Sequence, residues 1–115
     1  MDKQKLNQFA GVVASDLRQT EEAIDRALSQ ATMLINTLIA GRLETQLPAQ
    51  AGQQVLVKMS EAVASVIDSR EKVVAAHRLL EATALKLEIS WTMGGPFEPK
   101  PDLPEPTGKI LGMAA

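Results

Sequence analysis

Apolar and small residues recur at alternating separations of four and three positions over two long stretches of this sequence. The first series runs from Leu6 to Gly41, and the second runs from Leu56 to Trp91. Because an α-helix has about 3.6 residues per turn, this spacing draws one continuous stripe along a helix, whereas a strand would show strict alternation. The sequence therefore predicts an all-α fold built from two long helices.

The two predicted helices span about residues 3–46 and 53–93, and a turn at about 47–52 joins them. Asp2 can cap the first helix, because its side chain can accept hydrogen bonds from the free N–H groups of the first turn. Gly94-Gly95-Pro96 ends the second helix, since proline can neither donate a backbone hydrogen bond nor continue the helix. So short a connection predicts a long antiparallel two-helix hairpin.

The position of the break between the helices has two interpretations. Pro48 disfavours helical geometry at Leu47, and the residues just before it have a helical pattern, which favours a break near residue 47. Alternatively, Gly41 ends the first helix and Pro48 begins the second. We prefer the later break, and in both cases the hairpin forms one domain over residues 1–93.

The apolar stripes of both helices are wider than the two-position seam of a coiled coil. Two helices can cover each other along one line only, so the margins of such stripes stay exposed. The chain offers no third helix, and we therefore expect two hairpins to form an elongated four-helix bundle as a homodimer. The alternative is a monomeric hairpin whose alanine-rich stretches need little cover.

Residues 94–115 hold five of the six prolines, which predicts an extended, flexible, Pro-rich C-terminal tail without a packed core. Such a tail can lie as a strap across the helices, or it can act as a docking peptide for a partner. The apolar residues Ile110, Leu111 and Met113 give it something to bury in either case.

Two polar residues, Arg70 and His77, interrupt the stripe of the second helix. A turn centred near residue 49 places His77 level with Glu21 and Glu22, and places Arg70 near Asp25. We interpret these side chains as a polar seam that sets the register of the helices, or as interaction residues.

Trp91 lies on the same stripe, level with the start of the first helix. We expect its ring to cover the open end of the hairpin by packing on Leu6 and Phe9. The alternative is that Trp91 anchors a partner or the tail, since tryptophan is a frequent interface anchor.

The composition excludes several classes of chemistry. The chain has no Cys and one His, so thiolate sites and repeated histidine ligands are not available. Its serines lie in helical context without a strand-to-helix elbow, and no glycine-rich loop follows a strand. We expect no catalytic residues, no metal and no cofactor, and therefore no enzyme.

The charge balance and hydropathy bear on larger partners. The formal net charge is −2 and aromatic residues make up 3% of the chain, which disfavours binding to nucleic acid through phosphates or base stacking. The longest apolar-leaning stretch, residues 31–41, is about half of a membrane span, and the first six residues lack the apolar core of a secretory signal. We predict no membrane span and a cytoplasmic location.

These observations favour a non-enzymatic protein–protein interaction module, a small self-associating helical adaptor, scaffold or chaperone-like accessory protein with an unknown protein partner. One alternative is a ligand- or metal-holding helical bundle centred on His77. The other is an amphipathic protein at a membrane surface, which the balanced charge of the chain disfavours.

Overall fold

The computed structural model describes residues 2–92, which form two antiparallel helices packed side by side. Helix α1 spans Lys3–Thr45 and helix α2 spans Gln53–Lys86. The hairpin extends 65 Å along its longest axis, and no strand is found within the described residues. The predicted all-α hairpin is confirmed. The Pro-rich tail predicted for residues 94–115 lies outside the described residues.

Helix α1 has a side-chain cap at its start and a left-handed residue at its end. The Asp2 carboxylate accepts hydrogen bonds from the backbone N–H groups of Gln4 and Lys5, at 3.0 and 3.2 Å. The helix continues through Gly41 and ends at Thr45, so the later of the two possible breaks is the one observed. Gln46 then takes a left-handed conformation, with φ of 57°.

Two hydrogen bonds close the C-terminal end of α1. The N–H of Leu47 donates to the carbonyl of Arg42 at 3.1 Å, and the N–H of Gln46 donates to that of Leu43 at 3.4 Å. This pair of bonds is the Schellman arrangement, which satisfies carbonyls that the helix itself leaves free. Glycine usually occupies the left-handed position, and glutamine here takes it at some conformational cost.

Helix α2 ends at Lys86, and the prediction that it continues to residue 93 is wrong. Glu88 takes a left-handed conformation with φ of 56°. The N–H of Ile89 donates to the carbonyl of Ala84, and the N–H of Glu88 donates to that of Leu85, both at 3.1 Å. A second Schellman arrangement therefore stops the helix before Gly94-Gly95-Pro96 is reached.

The segment after α2 turns back over the start of α1. The backbone N–H of Ser90 donates to the Asn7 side chain at 3.2 Å. Ile89 and Trp91 are half-buried, and they share one groove with Leu6. Apolar packing at the open end of the hairpin explains why the helix gives way to an irregular segment there.

The hairpin buries few side chains. The buried hydrophobic residues are Ala10, Ala14, Leu17 and Ala84, and three of these four are alanines. Fourteen larger hydrophobic residues are exposed, from Phe9 near one end of α1 to Leu87 just after α2. Most of the apolar surface of the described chain therefore lies outside its own core.

Candidate interaction surface and polar seam

The two sides of the helix seam differ in chemistry. Buried and half-buried residues of α1 repeat with a period of seven, through Ala10, Leu17, Ile24 and Ala31. This row faces α2. The rows of α1 residues next to it therefore lie on one side of the hairpin or on the other. One side carries ion pairs between the helices, and the opposite side carries small and apolar residues.

On the polar side, Arg70 and Asp25 form the first link between the helices. The Nε of Arg70 donates to the Asp25 carboxylate at 2.7 Å. This hydrogen bond and the negative charge of Asp25 raise the pKa of Arg70. Both side chains are about half exposed, at 52% and 55%, so the pair contributes little to stability.

His77 forms the second link and lies between two carboxylates. Its Nδ1 is 2.8 Å from Glu21 on α1, and its Nε2 is 3.4 Å from Glu81, one turn further along α2. A neutral imidazole can donate from one nitrogen only, so both carboxylates can accept together only when the ring is protonated. The imidazole is 23% exposed and is therefore better shielded than the Arg70 pair.

The predicted polar residues are only partly brought together. Glu21 meets His77 as its level in the hairpin suggested, and Arg70 meets Asp25. Glu22, which we had also placed level with His77, instead pairs with Arg26 on its own helix at 3.5 Å. Glu22 points to a different side of α1 from Glu21, because adjacent helical residues are about 100° apart.

The polar side offers little to a metal ion. Within residues 2–92, no group of three or more His, Cys, Asp or Glu side chains is arranged to hold one. The carboxylates of Glu21 and Glu81 contact the two ring nitrogens of His77 and so occupy the atoms that would bind a metal.

The opposite side of the seam, which we call the apolar face, consists of two inner rows of residues spaced seven apart. Side chains of the α1 row decrease in size from Leu6 to Ala27 and are followed by Leu34 and Gly41, and the α2 row is mostly small. Shallow grooves lie at the turn end, the middle and the open end of this face. The inner rows are Leu6, Val13, Thr20, Ala27, Leu34 and Gly41 on α1, and Val55, Ala62, Ser69, Ala76 and Thr83 on α2.

Two further rows, which we call the border rows, run along the outer edges of the apolar face. The two rows differ in charge. Every charged residue of the α1 border is acidic, and every charged residue of the α2 border is a lysine. The border rows are Phe9, Asp16, Ala23, Gln30, Thr37 and Glu44 on α1, and Lys58, Ser65, Lys72, Leu79 and Lys86 on α2.

Trp91 closes the groove at the open end of the apolar face. It lines this groove together with Leu6 and Phe9, the two residues predicted to meet it. Trp91 arrives there on the returning segment after α2 instead of on the helix itself. Its indole Nε1 is buried without a hydrogen-bond partner among the described residues.

Two residues not predicted from the sequence, Asn7 and Ile89, hold the returning segment in place through the Ser90 hydrogen bond and the groove at the open end. Ile89 could have been predicted from its position, because it falls outside the alternating apolar series of α2. A helix that continued through this residue would not place it on the apolar stripe. Asn7 carries no signal of its own, since its partner is a backbone N–H group.

Neither described helix combines the length and apolarity needed to cross a membrane. No family model, curated protein or solved structure matches this chain. The chemistry of the described residues is therefore the basis on which a function is proposed.

Proposed function

We propose that this chain is a non-enzymatic protein–protein interaction module that associates with a second copy of itself. In this proposal it serves as a small helical adaptor, scaffold or chaperone-like accessory protein. The observation that carries the proposal is a contrast within residues 2–92, between one large buried side chain, Leu17, and fourteen large exposed hydrophobic residues. A chain with so small a core gains most from a surface that covers it.

The free energy of burying apolar side chains supports the proposal that a second copy covers one face of the hairpin. Full burial of a Val, Leu, Ile or Phe side chain is worth about 1.5–3 kcal/mol relative to exposure in water. A folded domain has a net stability of only about 5–15 kcal/mol. Covering even a few of the exposed residues, such as Phe9, Leu34 and Val55, would therefore change the stability of the hairpin by a large fraction.

Self-association uses one apolar face and leaves other surfaces for a different protein. Exposed Val57, Ile67 and Leu85 lie away from the apolar face and can accept an amphipathic helix of a partner. The Pro-rich residues 94–115 would add a second contact. The cytoplasmic location and the absence of nucleic-acid binding stay predictions from the sequence.

Light scattering over a dilution series tests the self-association. The chain has a mass of 12.4 kDa, and we expect a species of twice this mass at high concentration that dissociates on dilution. A single-chain mass at every concentration would contradict the proposal.

An affinity pull-down with the full chain, and with a variant lacking residues 94–115, tests the contact to a different protein. Loss of a specific partner upon truncation would assign recognition to the tail. Retention of that partner would assign it to the helices, and Ile67→Ser and Leu85→Ser would then locate the surface. Absence of any specific partner with both chains would leave self-association as the whole function.

A further inference from the structure

We infer that the second copy packs on the apolar face with both turns at the same end of the bundle. The two-fold axis then runs along the hairpin, and α1 of one copy lies against α2 of the other. This inference rests on the proposed self-association and adds its geometry. It follows from the area of the face, the sizes of the side chains in its two inner rows, and the charges in its border rows.

The apolar face is large enough for a stable dimer. Its α1 row runs from Leu6 to Gly41, which at about 1.5 Å per residue is about 53 Å, and two adjacent helices are about 20 Å wide. One copy can thus bury about 1,000 Å² on this face. Stable interfaces bury about 800 Å² per partner or more, so the face meets the requirement.

Contacts inside the hairpin show which residues of the two helices lie level. Asn7 meets Ser90, and Glu21 meets His77. A residue of α1 and its level counterpart on α2 therefore have numbers that sum to about 97. A two-fold axis along the hairpin preserves these levels, so the same arithmetic shows which residues of two copies would face each other.

Side-chain sizes favour the arrangement with the turns together. Leu34 of one copy then faces Ala62 of the other, and Gly41 faces Val55, so at these two levels a larger side chain meets a smaller one. Alternating sizes across an interface allow side chains to interdigitate without voids. With the turns at opposite ends, α1 would face α1, and Val13 would meet Leu34 of the second copy while the small rows of both α2 helices met each other.

The border rows favour the same arrangement through their charges. With the turns together, the acidic α1 border lies beside the lysine border of the other copy, and Asp16 comes within about five residues of the level of Lys86. Glu44 and Lys58 are related in the same way. With the turns at opposite ends, the lysine borders of both copies would lie side by side. The resulting repulsion would be small, because Lys58 and Lys72 already pair with Glu61 and Asp68 of their own helix.

The tilt of the side chains shortens the distance between the residues of each such pair. Side chains on a helix tilt toward its N-terminus, so Asp16 leans toward the open end and Lys86 leans toward the turn. Because α1 and α2 are antiparallel, the two side chains approach each other across the interface. Exposed pairs of this kind contribute at most about 1 kcal/mol each, so their role is to set orientation.

Disulfide trapping tests the orientation, and the chain is well suited to it because it has no cysteine. Gln30 on the α1 border and Ser65 on the α2 border are both exposed, and they lie at opposite edges of one hairpin. With the turns together, Gln30 of one copy comes level with Ser65 of the other. The double variant Gln30→Cys/Ser65→Cys should therefore form a covalent dimer upon oxidation, and each single variant should stay a single chain on a non-reducing gel.

Ala23→Cys is the matched variant for the opposite orientation. Ala23 lies near the midpoint of α1, and only an α1-to-α1 contact brings it close to its counterpart in the second copy. A covalent dimer of Ala23→Cys without one of the double variant would overturn the inferred orientation. So would a dimer by light scattering in which neither variant forms a disulfide, because the interface would then lie elsewhere. A monomer of the reduced variants and of the unaltered chain would instead refute the proposed self-association.

Discussion

Leu34→Ala should weaken self-association and leave the folding of one hairpin almost unchanged. Leu34 lies in the inner row of α1 and is 44% exposed in the hairpin. The substitution removes about 50 Å² of apolar surface that a second copy would cover, which at about 25 cal/mol per Å² amounts to about 1.3 kcal/mol. A two-fold interface contains each residue twice, so the dimer loses about 2.6 kcal/mol, or about 80-fold in dissociation constant.

Sedimentation equilibrium over a dilution series measures this dissociation constant directly, and circular dichroism on the same samples reports whether the helices persist. Leu85→Ala is the matched control, because it is the same chemical change at a residue that is 79% exposed and lies away from the apolar face. We expect its dissociation constant to stay within about twofold of that of the unaltered chain, since surface substitutions usually cost less than about 0.5 kcal/mol.

The dissociation constants of Leu34→Ala and Leu85→Ala together test whether the apolar face is the dimer interface. An unchanged dissociation constant for Leu34→Ala would show that the apolar face is not the dimer interface. Equal losses for Leu34→Ala and Leu85→Ala would show that association is unspecific, driven by total hydrophobicity instead of by one face. Either result would also remove the basis for assigning an orientation to the two copies.

Four further substitutions test the hairpin itself, with urea unfolding followed by circular dichroism as the measurement. Leu17→Ala should lower the free energy of unfolding by about 2–3 kcal/mol, because Leu17 is the one large side chain buried within residues 2–92. Gln46→Gly should raise it by about 0.5–1 kcal/mol, since φ at Gln46 is 57°, and Gly52→Ala should lower it, since φ at Gly52 is 80°. Glu21→Gln should cost less than about 1 kcal/mol, and a double-mutant cycle with His77→Gln should give the coupling between the two side chains.

The helices and their levels could be predicted from the sequence because they depend on periodic, local information. Apolar residues that alternate at three and four positions determine which face of each helix turns inward, and the length of the turn then determines which residues lie level. The contact between Glu21 and His77 follows from those two facts alone. The observed continuation of α1 through Gly41 also follows from local propensity, because a glycine inside a helix costs only about 1 kcal/mol.

The end of α2 could not be predicted in this way. Neither glycine nor proline occurs at residues 86–89, so the usual signals for a helix end are missing. The helix stops because Ile89 and Trp91 gain more from packing over the start of α1 than from one more helical turn, and Glu88 takes a left-handed conformation to allow it. Such a stop depends on residues more than eighty positions away, which a local pattern does not contain.

The division of the seam into a polar side and an apolar face explains how a hairpin with so small a core can keep one register. Alanines and aliphatic residues that repeat every seven positions would pack almost equally well after a slip of one heptad. The short turn opposes that slip, and the contacts of His77 with Glu21 and of Arg70 with Asp25 would both be lost in it. Both of these contacts lie on one side of the seam, and in our proposal a second copy covers the other side. The turn and these contacts together favour one register within one chain, and in our proposal the apolar face provides the energy of association between chains.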